Sequence, residues 1–208
     1  MQNVYRLSDF SHARPLATVH KISISDEALL ESIAAGSKSA MQVLFGRHNV
    51  RVYRFALRLA GNAALAEDIV SEVFMDVWRQ ANSFEGRSKV ATWLLTIARY
   101  KVLNAMRRRS WELPLNEETA NAIVDPTADP EAAVHRSNRS DVIRRCLNRL
   151  SPAHREIIDL VYFHENSISE VAQIVGIPAS TVKTRMYYAR QHMAKLLKTV
   201  GIHGIGES

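Results

Sequence analysis

The chain of 208 residues holds a single cysteine, Cys146, which excludes a disulfide framework and a cysteine-rich zinc site. No apolar run approaches the roughly 18 residues of a membrane span. The opening stretch, MQNVYRLSDFSHARPLATVHK, lacks the continuous apolar core of a secretion signal. Glycines and prolines are scattered and form no phosphate-cradling loop. No His, Cys, Asp or Glu cluster has metal-ligand spacing, and no nucleophile stands in a triad-like setting. These absences predict a soluble, cytoplasmic protein without membrane insertion, metal, cofactor or catalytic residues. One charge sign is also missing locally. From Val171 to Gly206 there is no acid, while Lys183, Arg185, Arg190, Lys195 and Lys198 all occur.

Hydrophobic residues make up 47%, enough for folded cores. The net charge of +6 and pI near 9.7 favour a polyanionic partner. The basic stretch has a clear local design. Ser167 and Glu170 have capping-box spacing. Val171, Ile174 and Val175 form an apolar stripe, Gly176 suits a left-handed helix stop, and Pro178 suits the start of a second helix. In that helix Val182, Met186, Ala189, Met193, Leu196 and Leu197 recur at helical spacing. Ser180, Thr181, Lys183, Thr184, Arg185, Tyr187, Tyr188 and Arg190 fall on the other faces. A short helix, a glycine turn and a basic second helix suit a DNA-reading helix-turn-helix, although a solvated helical hairpin would share the pattern.

Residues 1–24 show no sustained period and read as a loose extension. Met41, Leu44, Phe45, His48, Val52, Phe55, Ala56 and Leu59 then predict a long amphipathic helix stopped near Gly61-Asn62. His48 lies on its apolar face and reads as a packed core histidine. A helix over about 64–80 places Leu65, Ile69, Val73 and Val77 inward. Asp68, Glu72 and Asp76, also four apart, line a ridge beside Met75. Uncompensated like charges at that spacing fit either a solvated face or docking to a basic partner. A third long helix, over about 90–109, points Val90, Leu94, Ile97, Ala98 and Ala105 inward and groups Trp93, Thr96, Tyr100, Asn104 and Arg107 on another face. From Gly86 to Trp111 there are seven Lys or Arg and no acid. Cations interleaved with aromatic rings suit single-stranded nucleic acid; Trp93 is equally readable as a core residue.

Residues 111–133 carry three prolines and six acids and read as an acidic linker, able to span on the order of 70 Å when extended. Beyond it, Val142, Ile143, Cys146, Leu147 and Leu150 open a second domain, with Cys146 as an inert buried thiol. A helix is expected from Ser151-Pro152 to Phe163, followed by Asn166 as a left-handed residue.

Three stretches carry a family resemblance: AEDIVSEVFMDVW at 66–78, FEGRSKVATWLLTIARYKVLNAMRRR at 84–109, and LSPAHREIIDLVYFHENSISEVAQIVGIPASTVKTRMYYAR at 150–190. In this order they resemble the extracytoplasmic-function (ECF) sigma factors of bacterial RNA polymerase. The resemblance implies an all-α fold of two small helical domains: sigma region 2 over 25–110 and a helix-turn-helix region 4 over 134–200, joined by the acidic linker. It implies core RNA polymerase docking by Asp68, Ser71, Glu72 and Met75. It assigns single-stranded −10 promoter contacts to Arg87, Ser88, Lys89, Trp93, Arg99, Tyr100, Lys101, Asn104, Arg107 and Arg108. It assigns duplex −35 contacts to Ser180, Thr181, Lys183, Thr184, Arg185, Tyr187, Tyr188 and Arg190, and leads us to expect an anti-sigma factor. Val90 stands where many members have an aromatic residue. Thr96 and Ile97 stand where housekeeping sigma factors carry paired tryptophans. Both departures predict a narrow promoter range. A polymerase-independent helix-turn-helix regulator of duplex DNA is the runner-up; it has no use for the acidic ridge or the aromatic-basic helix.

Overall fold

The computed structural model describes residues 24–112 and 142–200, and their regular elements are all helical. The 1–23 extension and the acidic linker beyond residue 112 lie outside the described residues.

The first bundle holds four helices. Helix α1 (Asp26–Ala34) starts where the Ser25 hydroxyl accepts from the Ala28 N–H. Helix α2 (Lys38–Ala60) is capped by Ser37 in the same way and ends at Gly61, whose φ of 66° most residues resist. Asn62 caps α3 (Ala63–Gln80), its side-chain oxygen accepting from Leu65 N–H at 2.8 Å. A short 3₁₀ turn (Ala81–Ser83) and the Gly86 bend lead to α4 (Val90–Glu112). Helix α4 thus runs past 110 into the segment read as linker. Leu30, Ile33, Leu44, Val52, Phe55, Ile69 and Val73 fill the centre. Burying each such side chain is worth roughly 1.5–3 kcal/mol, and this core holds α3 and α4 at fixed rotation.

The buried stripe of α4 differs from the expected one. Val90, Leu94, Leu95, Ala98 and Val102 are buried, whereas Ile97 and Ala105 are only half covered. Helix α7 (Ile168–Val175) of the second bundle also packs along α4, so α4 has neighbours from both bundles.

The second bundle comprises α5 (142–148 of the described residues), α6 (Pro152–Ile158), α7 (Ile168–Val175) and α8 (Ala179–Thr199). Ser151 caps α6 by accepting from His154 N–H. The helix expected to reach Phe163 is α-helical only to Ile158 and widens into a π-turn over Asp159–Phe163. There the His164 N–H donates five residues back, to Asp159 O. The left-handed residue is Glu165 (φ 53°), not Asn166. Asn166 is buried, and its side-chain oxygen accepts a hydrogen bond from Arg51 of the first bundle. Cys146 is free and buried, as expected.

The two bundles touch. Helix α7 lies along α4, and an apolar cleft of about 660 Å³ opens between α2 and α4 on one side and α5, α6 and the π-turn on the other, lined by Leu57, Leu103, Met106, Ile143, Leu147 and Phe163 among others.

Candidate nucleic-acid interface

The helix-turn-helix forms as its sequence predicts. Ser167 Oγ accepts from Glu170 N–H, and Glu170 Oε2 accepts from Ser167 N–H at 2.8 Å, completing the capping box. Partial burial raises the Glu170 pKa, but these bonds and Lys89 outweigh it and hold the carboxyl at about 2. Gly176 takes φ 73° and closes α7. Pro178 serves as the N-cap of α8 rather than standing within its first turn. Val182, Met186, Ala189 and Leu196 bury one face of α8; Met193 and Leu197 are half buried beside them.

The opposite side of α8 is open. Ser180, Lys183, Thr184, Tyr187, Tyr188 and Arg190 are exposed, while Thr181 and Arg185 are half buried. Tyr187 and Tyr188 meet edge-to-face at 5.4 Å, and Gln191 Nε2 donates to Tyr187 Oη at 2.7 Å. Their rings are therefore positioned before any ligand arrives. Thr184 Oγ1 donates to Ser180 O, which leaves its lone pairs free to accept from a base. The Arg190 guanidinium lies over the Tyr162 ring, 5.7 Å from its centroid.

On α3, Asp68, Ser71, Glu72 and Met75 share one exposed face, with Met75 52% exposed. The ridge is not uncompensated. Lys101 Nζ reaches across from α4 to Asp76 Oδ2 (2.7 Å) and Glu72 Oε2 (3.2 Å). Partial burial depresses the Lys101 pKa, but these two carboxylates outweigh it and leave the ammonium above its ordinary value. Lys101 thus braces α3 against α4 and stands apart from the aromatic face of its own helix.

On that aromatic face, Tyr100 is 68% exposed and Arg107 and Arg108 are exposed; Asn104 is half buried. Trp93 is half buried with its ring 5.3 Å from Phe84, so both readings of Trp93 keep part of their ground. Arg87 and Ser88 sit in the preceding turn, Arg87 paired with Glu85. The remaining two expected contacts face the second bundle. Arg99 Nε donates to Glu156 Oε1 at 2.6 Å, and Lys89 Nζ lies 3.0 Å from Glu170 Oε1.

Sequence reasoning missed this inter-bundle set altogether. Arg51 donates to His164 O (2.5 Å) and Asn166 Oδ1 (2.7 Å), and Arg58 donates to Asp159 Oδ1 (2.5 Å). Burial draws the Arg51 pKa down, with Glu170 and Glu165 opposing. One signal was available. Glu156 and Asp159 are set among Ile157, Ile158 and Leu160, and carboxylates inside an apolar run need buried cations. His48, read as a core histidine, is buried and bonds Asp26 Oδ2 at 2.6 Å. Partial burial raises the Asp26 pKa, but bonds from Arg47 and His48 bring it below the usual carboxylate value.

Among the described residues no group of three His, Cys, Asp or Glu can hold a metal ion, and no helix is long and apolar enough to cross a membrane. The architecture defines a class: a two-bundle helical protein with a helix-turn-helix in one bundle and an acid-ridged, aromatic-basic helix pair in the other. Comparison with known families makes the class specific. Residues 44–112 match the Sigma-70 region 2 family and residues 140–193 match Sigma-70, region 4. The ECF RNA polymerase sigma factor SigM of Mycobacterium tuberculosis (strain H37Rv) is 30% identical over 173 residues, 83% of this chain and 85% of SigM. SigW of Bacillus subtilis (strain 168), also an ECF RNA polymerase sigma factor, is 29% identical over 177 residues, 81% of this chain and 95% of SigW. Among solved structures, the sigma factor RpoE of Bartonella quintana, in complex with the anti-sigma factor NepR, aligns with TM-score 0.61 and 27% identity, covering 76% of this chain and 96% of that one. The chain belongs to the sigma-70 family, in its ECF group, and is an alternative sigma factor.

Proposed function

We propose that this sigma factor docks on core RNA polymerase through Asp68, Ser71, Glu72 and Met75 and directs initiation by reading two promoter elements. It acts in the cytoplasm and supplies no catalytic group of its own. The supporting observation is the exposure of the Asp68–Met75 face: Asp68, Ser71, Glu72 and Met75 are all exposed, and Lys101 of α4 ties Glu72 and Asp76 to the neighbouring helix. Tyr100, Arg107, Arg108 and the Arg87–Ser88 turn offer stacking and phosphate contacts to an opened −10 strand, with Trp93 contributing its exposed part. Lys183, Thr184, Tyr187 and Tyr188 read the −35 duplex from the major groove, flanked by Ser180, Thr181, Arg185 and Arg190. An anti-sigma partner is proposed by likeness to RpoE, solved with its anti-sigma factor. The test is co-elution of the purified chain with core polymerase in the absence of DNA. A chain that never joins core but binds duplex DNA as a dimer would return the assignment to a polymerase-independent regulator.

A further inference from the structure

Two hydroxyls on the open side of α8 are engaged within the helix, in opposite senses. Thr184 spends its hydrogen on Ser180 O and keeps its lone pairs. Tyr187 does the reverse: Gln191 Nε2 donates to its oxygen at 2.7 Å, so the phenol keeps its hydrogen to give. Thr184, Tyr187 and Gln191 are all exposed and follow one another at three- and four-residue steps, which puts them in one row along the helix. Tyr188, meeting the Tyr187 ring edge-to-face at 5.4 Å, helps hold that ring in place. Gln191 is not among the residues that the family resemblance assigns to the −35 duplex, and this bond gives it a role there.

We infer that Gln191 is a positioning residue that fixes Tyr187 as a hydrogen-bond donor, so the base under Tyr187 must offer an acceptor: a purine N7, guanine O6 or thymine O4, and not the cytosine amine. The inference rests on Tyr187 reading the −35 duplex, as proposed above. In the free chain, water competes for both ends of the Tyr187–Gln191 bond. Once DNA displaces that water, each covered polar atom needs a partner of its own. Gln191 then satisfies the phenol oxygen, and its donation polarises the O–H toward the base. A cytosine amine in the same place would set donor against donor and should weaken binding roughly tenfold. Lys183, one turn before Tyr187 and also exposed, can only donate, so the two neighbours ask for the same kind of base edge.

The test selects duplex promoters with a randomised upstream element on core polymerase carrying the full chain. Tyr187→Phe, which loses only the hydroxyl, should flatten the base preference at one position. At that position Gln191→Lys, which can only donate, should keep the parent's ranking of bases. Gln191→Glu, which can only accept, takes the phenol hydrogen, leaves the oxygen to accept from the base, and should reverse the ranking by roughly tenfold. The charge each substitution introduces changes affinity for all sequences alike and cancels in the ranking. Reversal by Gln191→Lys with retention by Gln191→Glu would mean that the phenol donates to the glutamine, and overturns the inference. Any other pattern than reversal by Gln191→Glu alone overturns it as well. If Tyr187→Phe flattens no position, the hydroxyl reads no base and the inference falls. Tyr187→Ala then separates the two claims: an unchanged preference means that the reading of the −35 duplex by Tyr187 has failed too, and a relaxed one means that only the positioning role has.

Discussion

Arg99 on α4 and Glu156 on α6 are 57 residues apart in the chain, yet their side chains meet in a two-nitrogen ion pair. Glu156 is only 7% exposed there. Neither side chain belongs to its own bundle's core pattern. Arg99, placed by the family resemblance among the −10 strand contacts, is half buried against a carboxylate. A buried carboxylate stripped of its cation costs about 3–5 kcal/mol if it cannot reach water. Arg99→Ala should therefore separate the bundles, hydrating Glu156, in preference to unfolding α6. Small-angle scattering should show the radius of gyration rising while helical circular dichroism is retained. A compact Arg99→Ala protein would show that α4–α7 packing alone sets the arrangement.

Glu170 makes stability pH-dependent. Its carboxyl lies at about 2 in the folded chain against an ordinary 4.5, so the ionised form is the one folding favours. That stabilisation is complete above pH 4.5 and is lost as pH falls through 2. Urea midpoints should drop across this window in the parent protein. Glu170→Gln, which cannot ionise, should flatten the slope; an identical slope would remove Glu170 as its source.

Asp68→Lys with Glu72→Lys should abolish binding to core polymerase and leave folding nearly intact. Asp68 is exposed, and Lys101 keeps Asp76 at 2.7 Å when Glu72 is gone. Exposed pairs of this kind contribute about 0–1 kcal/mol. Pull-down with core and a thermal melt check both halves. Retained core binding would leave the ridge as a solvated face.

Tyr100 and Trp93 should separate in their effects. Tyr100→Ala removes an exposed ring and should cost about 1–3 kcal/mol in single-strand capture, with an unchanged melt. Trp93→Ala also removes the packing against Phe84 and should lower the melting temperature. A promoter template carrying a premelted bubble should recover only the part of each defect due to melting. Equal defects on closed and premelted templates would assign Trp93 to the core alone.

On α8, Lys183→Ala and Tyr188→Ala should relax −35 preference by about 1–3 kcal/mol, measured on a randomised −35 library. Arg190→Ala should lower affinity for all sequences alike and reduce the salt slope by roughly one unit. Arg190 is exposed and lies over Tyr162, outside the Lys183–Tyr188 reading set, which suits backbone holding. The reverse pattern would exchange the roles of these positions.

How far the sequence could be read follows the range of each interaction. The capping box at Ser167 and Glu170, the Gly176 stop and the α8 stripe are local, and all three form as expected. The Asp68–Met75 face was legible because a four-residue repeat fixes it without tertiary information. Lys101, placed among the −10 contacts by the family resemblance, pairs with Glu72 and Asp76, and only the approach of α3 to α4 shows this. The buried position of Asn166, with Glu165 taking the left-handed conformation, goes with a contact from Arg51, 115 residues away in the chain. Contacts 57 to 115 residues apart leave no periodicity to detect.

The most direct test is multi-template run-off transcription with core polymerase, the purified chain and a fragmented bacterial genome, with start sites read by sequencing. The expected result is a small set of starts, each preceded by two shared sequence blocks. Lys183→Ala should blur the upstream block and Tyr100→Ala the downstream one. Core polymerase that initiates at the same positions with and without the chain, or starts that share no such pair of blocks, would contradict a two-element sigma factor.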